Sequence, residues 1–200
     1  MFSTEYISTR IGIIFSRFGI LPNLWTLMAL ISALFGFIAL CYNKLLCALI
    51  LFIISGVTDA IDGAVARVTG RVTSLGAFLD GVTDRYTEFL LYLGLLLYLQ
   101  NFEIKFFVPT SIWISLLIFG SIMPSFIRAY ADHRNVVTDE NEQRRMGGIL
   151  ERPERLLLIY IGMFMGCFNN LWFIYIIALT SVFANITAFQ RLYFCYIKGR

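Results

Sequence analysis

The sequence predicts an all-α polytopic membrane protein, with six transmembrane helices behind an N-terminal helix that lies in the membrane interface. Three observations predict it. Of 200 residues, 58% are hydrophobic and only 14% are charged, more apolar surface than a water-soluble globule of this size can bury. Mean hydropathy is +0.76. Residues 18–43, 106–127 and 156–190 carry no charge at all. The same composition excludes intrinsic disorder. Four scattered cysteines (Cys41, Cys47, Cys167, Cys195) form no CxxC pair, which excludes a disulfide-stapled secreted fold and makes them small apolar residues of helices. The net charge of +3 offers no surface for nucleic acid. At about 20 residues per span, six crossings nearly fill the chain, so residues 1–200 read as a single membrane domain.

Within residues 1–20 no cleavable leader is expected, because the apolar run Ile11–Phe15 is short and no small-residue cleavage site follows. Ile7, Ile11, Ile14, Phe15 and Phe18 repeat at helical spacing opposite Arg10 and Arg17. That stripe predicts an interfacial amphipathic helix with its arginines toward lipid headgroups. Pro22 and Asn23 break the pattern, and a six-helix bundle over 24–190 follows. The first span is predicted at about 24–42. The second starts near Lys44 and must run past Asp59 and Asp62 to reach bilayer length. The third runs from about Leu75 to Gln100, with Asp80, Asp84 and Glu88 in its first half. The fourth fills 106–127. A polar loop of about twenty residues comes next, and Glu151-Arg152-Pro153 reads as a helix start with Pro in the first turn. Asn169-Asn170 divide the remaining apolar stretch into spans five and six.

Charge sets the orientation. The N-terminal helix, the 67–74 loop, the 128–155 region and the C-terminal tail hold 13 of the 16 Lys and Arg residues, whereas the opposite side has only Lys44 and Lys105. By the positive-inside rule both termini are expected in the cytoplasm.

The informative residues are acids in places where acids are costly. An Asp at mid-bilayer costs about 2.5–3.5 kcal/mol on insertion scales. Asp59 and Asp62 fall near the cytoplasmic end of span two, and Asp80 and Asp84 in the cytoplasmic half of span three. Spacings of i, i+3 and i, i+4 put each pair on one helix face, and the short loop between the spans lets the faces meet. Four converging carboxylates repel unless cations neutralise them. An all-oxygen cluster without His or Cys suits Mg²⁺ or Mn²⁺ and not zinc, and two such ions are a recurrent device for displacement at phosphorus. Gly63, Ala66 and Gly76 leave room for a phosphorylated ligand, and Arg67 can neutralise its oxygens.

The string Asp59-x2-Asp62-Gly63-x2-Ala66-Arg67-x8-Gly76-x3-Asp80-x3-Asp84 resembles the signature of the CDP-alcohol phosphotransferase family at every defined position. Pro22-Asn23-x2-Thr26 resembles the opening of that family's first span. The resemblance implies transfer of a phosphate-linked group from a CDP-alcohol, such as CDP-diacylglycerol or CDP-archaeol, to an acceptor hydroxyl with release of CMP. It implies two Mg²⁺ ions (Mn²⁺ able to substitute), bridged by Asp59 and Asp80, with Asp62 on the first and Asp84 on the second. Asp84 would also be the general base. Gly63, Arg67 and Thr73 would line the CDP site, with Asn23 and Thr26 near the nucleotide. A homodimer is implied as well.

For the acceptor, Arg128 closes span four, while Arg152 and Arg155 open span five at i, i+3. Together they can form a cationic pocket for a phosphate monoester, although the positive-inside rule alone also puts arginines there. The strings Arg128-Ala129-Tyr130-Ala131-Asp132 and Glu151-Arg152-x2-Arg155 resemble the branch of the family that uses inositol phosphate. Other acceptors (glycerol 3-phosphate, serine, or inositol phosphate with CDP-inositol as donor) remain open, and the 132–150 loop has no assigned role. His133 reads as solvated and Glu88 as structural support, able to orient Arg85 or an acceptor. A divalent-cation transporter is the alternative from another class, but it would spread acids through the membrane depth. A prenyltransferase would need more spans and a different Asp spacing.

Overall fold

The computed structural model describes residues 2–20, 22–102 and 106–199, and all regular structure among them is helical. The helices are α1 (Phe2–Ser16), α2 (Pro22–Cys41), α3 (Leu45–Val68), α4 (Ser74–Gln100), α5 (Thr110–His133), α6 (Glu140–Arg145), α7 (Arg152–Gly166) and α8 (Asn170–Lys198). Each of the six expected spans corresponds to a helix. Four are long and apolar enough to cross a membrane: α2 from Asn23, α3, α5 and α8. The 27-residue α4 is about 40 Å long at 1.5 Å per residue, but its charged first half sets it apart. The 15-residue α7 spans only about 22 Å, short of a hydrocarbon core of about 30 Å. The chain divides into two compact units, Met1–Gly94 and Leu95–Arg200.

In the first unit α3 is the central element, packed by α1 and α2. The packing is inverted relative to a soluble bundle. On α2 the large residues Leu24, Leu27, Met28, Ile31, Leu34, Phe35 and Ile38 are exposed, while Ala29 and Ala33 are buried. Small residues let backbones approach, and hydroxyls tie them together where no water competes. Ser55 donates to the Ala29 carbonyl at 2.8 Å and Ser32 to that of Leu51 at 2.8 Å. Gly94 lets α4 lie against α2, since a Cβ there would come within 2.6 Å of Leu40.

Near the N-terminus Phe2–Ser16 is helical, but its apolar residues do not make a single stripe. Ile11 and Phe15 pack against Trp25, Ile61 and Val65, while Ile14 and Phe18 are exposed. The side chain of Ile7 lies outside the described residues, as does Lys105 of the charge count. Gly12 is the contact point, because a Cβ there would sit 2.5 Å from the Ala64 carbonyl oxygen.

In the second unit α8 is central, packed by α5 and α7. Ile114, Leu117, Ile159, Met163, Phe173, Ile174 and Ile177 are fully buried. Asn185 donates to the Leu116 carbonyl of α5 at 2.9 Å. Two boundaries move relative to the sequence expectation. Helix α5 continues through Arg128 to His133, since nothing in Arg128–Asp132 breaks a helix, and α8 continues past 190 through Arg191. Within the expected loop, a one-turn helix forms behind Asp139, whose carboxylate accepts from the Asn141 amide at 3.1 Å. Residues 146–151 then run as a strap along α8. Thr187 accepts from the Leu150 amide and Gln190 from that of Ile149, each at 3.0 Å. Gly148 permits this, as a Cβ there would meet Thr187 at 2.1 Å. All four cysteines are free.

The Gly12 contact yields a prediction. Gly12→Val overpacks the α1–α3 interface, which costs about 1–3 kcal/mol, so trypsin should cleave after Arg10 and Arg17 about tenfold faster than in the wild type. Unchanged cleavage would mean that α1 is not held through Gly12.

Candidate metal and nucleotide site

The acids sit where α3 ends and α4 begins. Helix α3 closes at Gly70, which adopts φ +64°, a conformation readily available to glycine. The chain reverses, and α4 starts at Thr73, whose hydroxyl accepts from the Gly76 amide at 3.0 Å. This reversal turns the last third of α3 toward the first third of α4. Asp59, Asp62 and Asp80 each place a carboxylate oxygen within 4.8 Å of the others. Asp62 is buried, while Asp59 and Asp80 are half-buried. Asp84, one turn further along α4, is not part of this trio. Three oxygen donors so close together repel, and the set has the hardness and spacing to hold a divalent cation.

Thr26 donates from its hydroxyl to Asp62 Oδ2 at 2.6 Å, so α2 orients one carboxylate of the trio. Hydrogen bonds of this kind fix a ligand before the metal arrives. Arg67 lies back over Gly63, where a Cβ would be 3.3 Å from its guanidinium. Its Nη2 donates to Ser8 Oγ of α1 at 2.8 Å. Asn23 Oδ1 stands 3.8 Å from the Cβ position of Gly76, and the Thr73 hydroxyl 3.0 Å from it. Asn23, Thr26, Gly63, Arg67 and Thr73, the five residues expected at the nucleotide, all line one cavity of about 300 Å³, together with Asp62 and Asp80. Arg71 also lines it, and neither Arg71 nor Ser8 was picked out by motif. Further along α4, Glu88 is 2% exposed and pairs with Arg85 Nη1 at 3.4 Å, in keeping with a supporting role.

The second unit gathers cations. Arg155 is 2% and Arg191 7% exposed, and Arg128 and Arg155 are near enough to Arg191 to act on its charge. Arg191 donates to the Pro124 carbonyl at 2.9 Å and lies 3.4 Å from Glu151 Oε1. Arg128 donates to the Met146 carbonyl of the strap at 3.3 Å. Its Nε and that of Arg191 are buried with no hydrogen-bond partner among the described residues. Arg152, at the first turn of α7, is only half-buried. Arg191 follows the charge-free run that ends at residue 190, so the sequence pattern alone places it in the C-terminal tail. The signal was present, since Ala184, Thr187 and Ala188 are buried and continue at helical spacing to Arg191.

A family model for CDP-alcohol phosphatidyltransferases matches residues 19–189, and the chain belongs to that family. It is therefore a transferase. An archaetidylinositol phosphate synthase of Pyrococcus horikoshii is 33% identical over 92% of this chain and 88% of its own length. One from Aeropyrum pernix is 31% identical over 96% and 91%. Among solved structures, Mycobacterium tuberculosis phosphatidylinositol phosphate synthase with CDP-DAG bound is 27% identical, with a TM-score of 0.79 over 96% of this chain and 94% of that one. The same enzyme in complex with manganese and citrate gives a TM-score of 0.80, again at 27% identity, over 94% and 88%.

The Thr26 contact is testable by metal binding. Thr26→Val should weaken Mn²⁺ affinity by about tenfold, within the range for lost outer-shell partners, while Thr26→Ser should retain it. Titration followed by electron paramagnetic resonance measures both, and equal affinity for Thr26→Val and the wild type would rule out the orienting role.

Proposed function

We propose that this chain transfers the substituted phosphate of a CDP-linked lipid, CDP-diacylglycerol or CDP-archaeol, to a hydroxyl of inositol 1-phosphate and releases CMP. Residues 1–200 would act as one phosphotransferase domain. Asp59, Asp62, Asp80 and Asp84 are the proposed ligands of two Mg²⁺ ions, which supply charge neutralisation at the diphosphate when bound. Asn23, Thr26, Gly63, Arg67 and Thr73 hold the CDP moiety. Asp84 accepts the proton of the attacking hydroxyl, a role suited to a carboxylate kept ionised beside cations. The acceptor oxygen then forms its bond to phosphorus as the bond to the CMP oxygen breaks.

For the acceptor, the observation that carries the reading is the arginine group of the second unit. Buried N–H donors without partners are costly, and the buried Nε–H groups of Arg128 and Arg191, unpartnered among the described residues, are an excess of donors over acceptors. A phosphate monoester dianion matches that excess through charge-assisted hydrogen bonds. Arg128, Arg152 and Arg155 are the proposed acceptor residues, and Arg191 joins them. The relatives named for inositol phosphate products support the same acceptor.

The membrane arrangement belongs to the same proposal: six spans, α1 in the cytoplasmic interface, and both termini and the site in the cytoplasm, where 13 of 16 cations are expected. An amphiphilic donor explains a nucleotide site placed at an interface. A homodimer follows from family resemblance.

The test is CMP release by the purified protein in detergent with Mg²⁺. Release with inositol 1-phosphate, and none with inositol, glycerol 3-phosphate or serine, is expected. Release with another acceptor would overturn the arginine assignment, and absence of release together with Mn²⁺ flux into proteoliposomes would point to a transporter. Asp84→Asn should cut turnover by about 10²–10⁴-fold with CDP binding retained, and unchanged turnover would remove Asp84 from the base role.

A further inference from the structure

The cavity at the α3–α4 reversal is lined by a second arginine, Arg71, that the chemistry above leaves unused. Arg71 follows Gly70 and precedes the capping Thr73 by two residues. Its backbone is fixed from both sides. The Arg71 amide donates to the Ala66 carbonyl at 3.0 Å and the Gly70 amide to that of Arg67 at 3.4 Å, while the Ala77 amide donates to the Thr73 carbonyl at 3.0 Å. The position of Arg71 on the cavity wall is thus set by the turn itself.

Its side chain is in a different state from that of Arg67. Arg67 is anchored, with its guanidinium over Gly63 and one nitrogen on Ser8. Arg71 is exposed and makes no side-chain hydrogen bond or ion pair with a described residue. Asp62 and Asp80 line the same cavity, yet neither is paired with it. A fixed backbone with an exposed, uncommitted guanidinium on a cavity-lining residue is an arrangement suited to an arriving anion, and the planar fork matches phosphate oxygens two at a time. The cavity also lies at the N-terminal end of the 27-residue α4, where the helix dipole favours negative charge.

We infer that Arg71 is a second phosphate-binding residue of the donor site, closing on the diphosphate of the CDP-linked substrate while Arg67 holds it from the α3 side. The inference rests on the nucleotide reading of this cavity and is independent of which acceptor is used. An exposed arginine at a membrane surface can also meet lipid phosphates, and the test separates the two sources.

The experiment is calorimetric titration of the full-length protein in uncharged detergent, without added lipid, using CDP and cytidine as probes. Arg71→Gln should lower CDP affinity about tenfold while leaving the weaker cytidine affinity and Mn²⁺ binding unchanged. Arg71→Lys should recover part of the CDP affinity, since it restores charge without the fork. Equal CDP affinity for Arg71→Gln and the wild type would overturn the inference. So would a difference that emerges only in nanodiscs containing anionic lipid, which would make Arg71 a headgroup contact. A wild type that binds no CDP would contradict the nucleotide reading itself, a result distinguishable from failure of Arg71 alone.

Discussion

The first unit is organised around mutual repulsion among carboxylates. Asp59, Asp62 and Asp80 bring oxygens within 4.8 Å of one another in helices whose other residues are largely apolar, a grouping that is unfavourable without positive charge between them. Much of the local structure holds them there. The left-handed Gly70 and the Thr73 cap reverse the chain so that two acidic helix faces meet. Thr26 reaches from α2 to orient Asp62, and α1 packs on α3 through Gly12 while its Ser8 holds Arg67. These contacts together give a preorganised oxygen cluster beside a cavity with arginines on its wall, the combination that divalent cations and a diphosphate require.

The second unit presents the opposite electrostatic problem. Arg155 and Arg191 are buried with Arg128 nearby, and Glu151 faces Arg191. The strap 146–151, laid along α8 by Thr187 and Gln190, carries both the carbonyl that receives Arg128 and the carboxylate that faces Arg191. Gly148 is the residue that makes this close approach possible. The backbone carbonyls of Met146 and Pro124 thereby hold Arg128 and Arg191, and the Nε–H of each is left without a partner among the described residues.

Much of this was legible in the chain. Charge-free runs pointed to α2, α5, α7 and α8, and the spacing of Asp59, Asp62, Asp80 and Asp84 with the intervening glycines pointed to the α3–α4 region, where three of these acids come together, because acids in apolar segments have few reasons to be there. Motif-borne residues were found for the same reason. What could not be read depends on contacts between distant segments. Ser8 touches Arg67 across 59 positions, and nothing local to Ser8 marks it. Arg191 was hidden by a boundary, since a charge following an uncharged run looks like a helix end until the small-residue stripe leading to it is recognised. The N-terminal helix shows a further limit. Its periodicity indicated a helix but not which apolar residues face α3, because Gly12, with no hydrophobicity of its own, decides that contact.

A divalent-cation centre formed by Asp59, Asp62 and Asp80 at the α3–α4 reversal is the feature on which the proposed chemistry depends. It is tested most directly by diffraction from crystals soaked in MnCl₂, with anomalous maps calculated at the manganese edge. Strong anomalous peaks between these three carboxylates are predicted, the two-ion reading requiring two peaks about 4 Å apart with Asp84 on the second. Maps with manganese bound elsewhere and no peak at the trio would contradict the account.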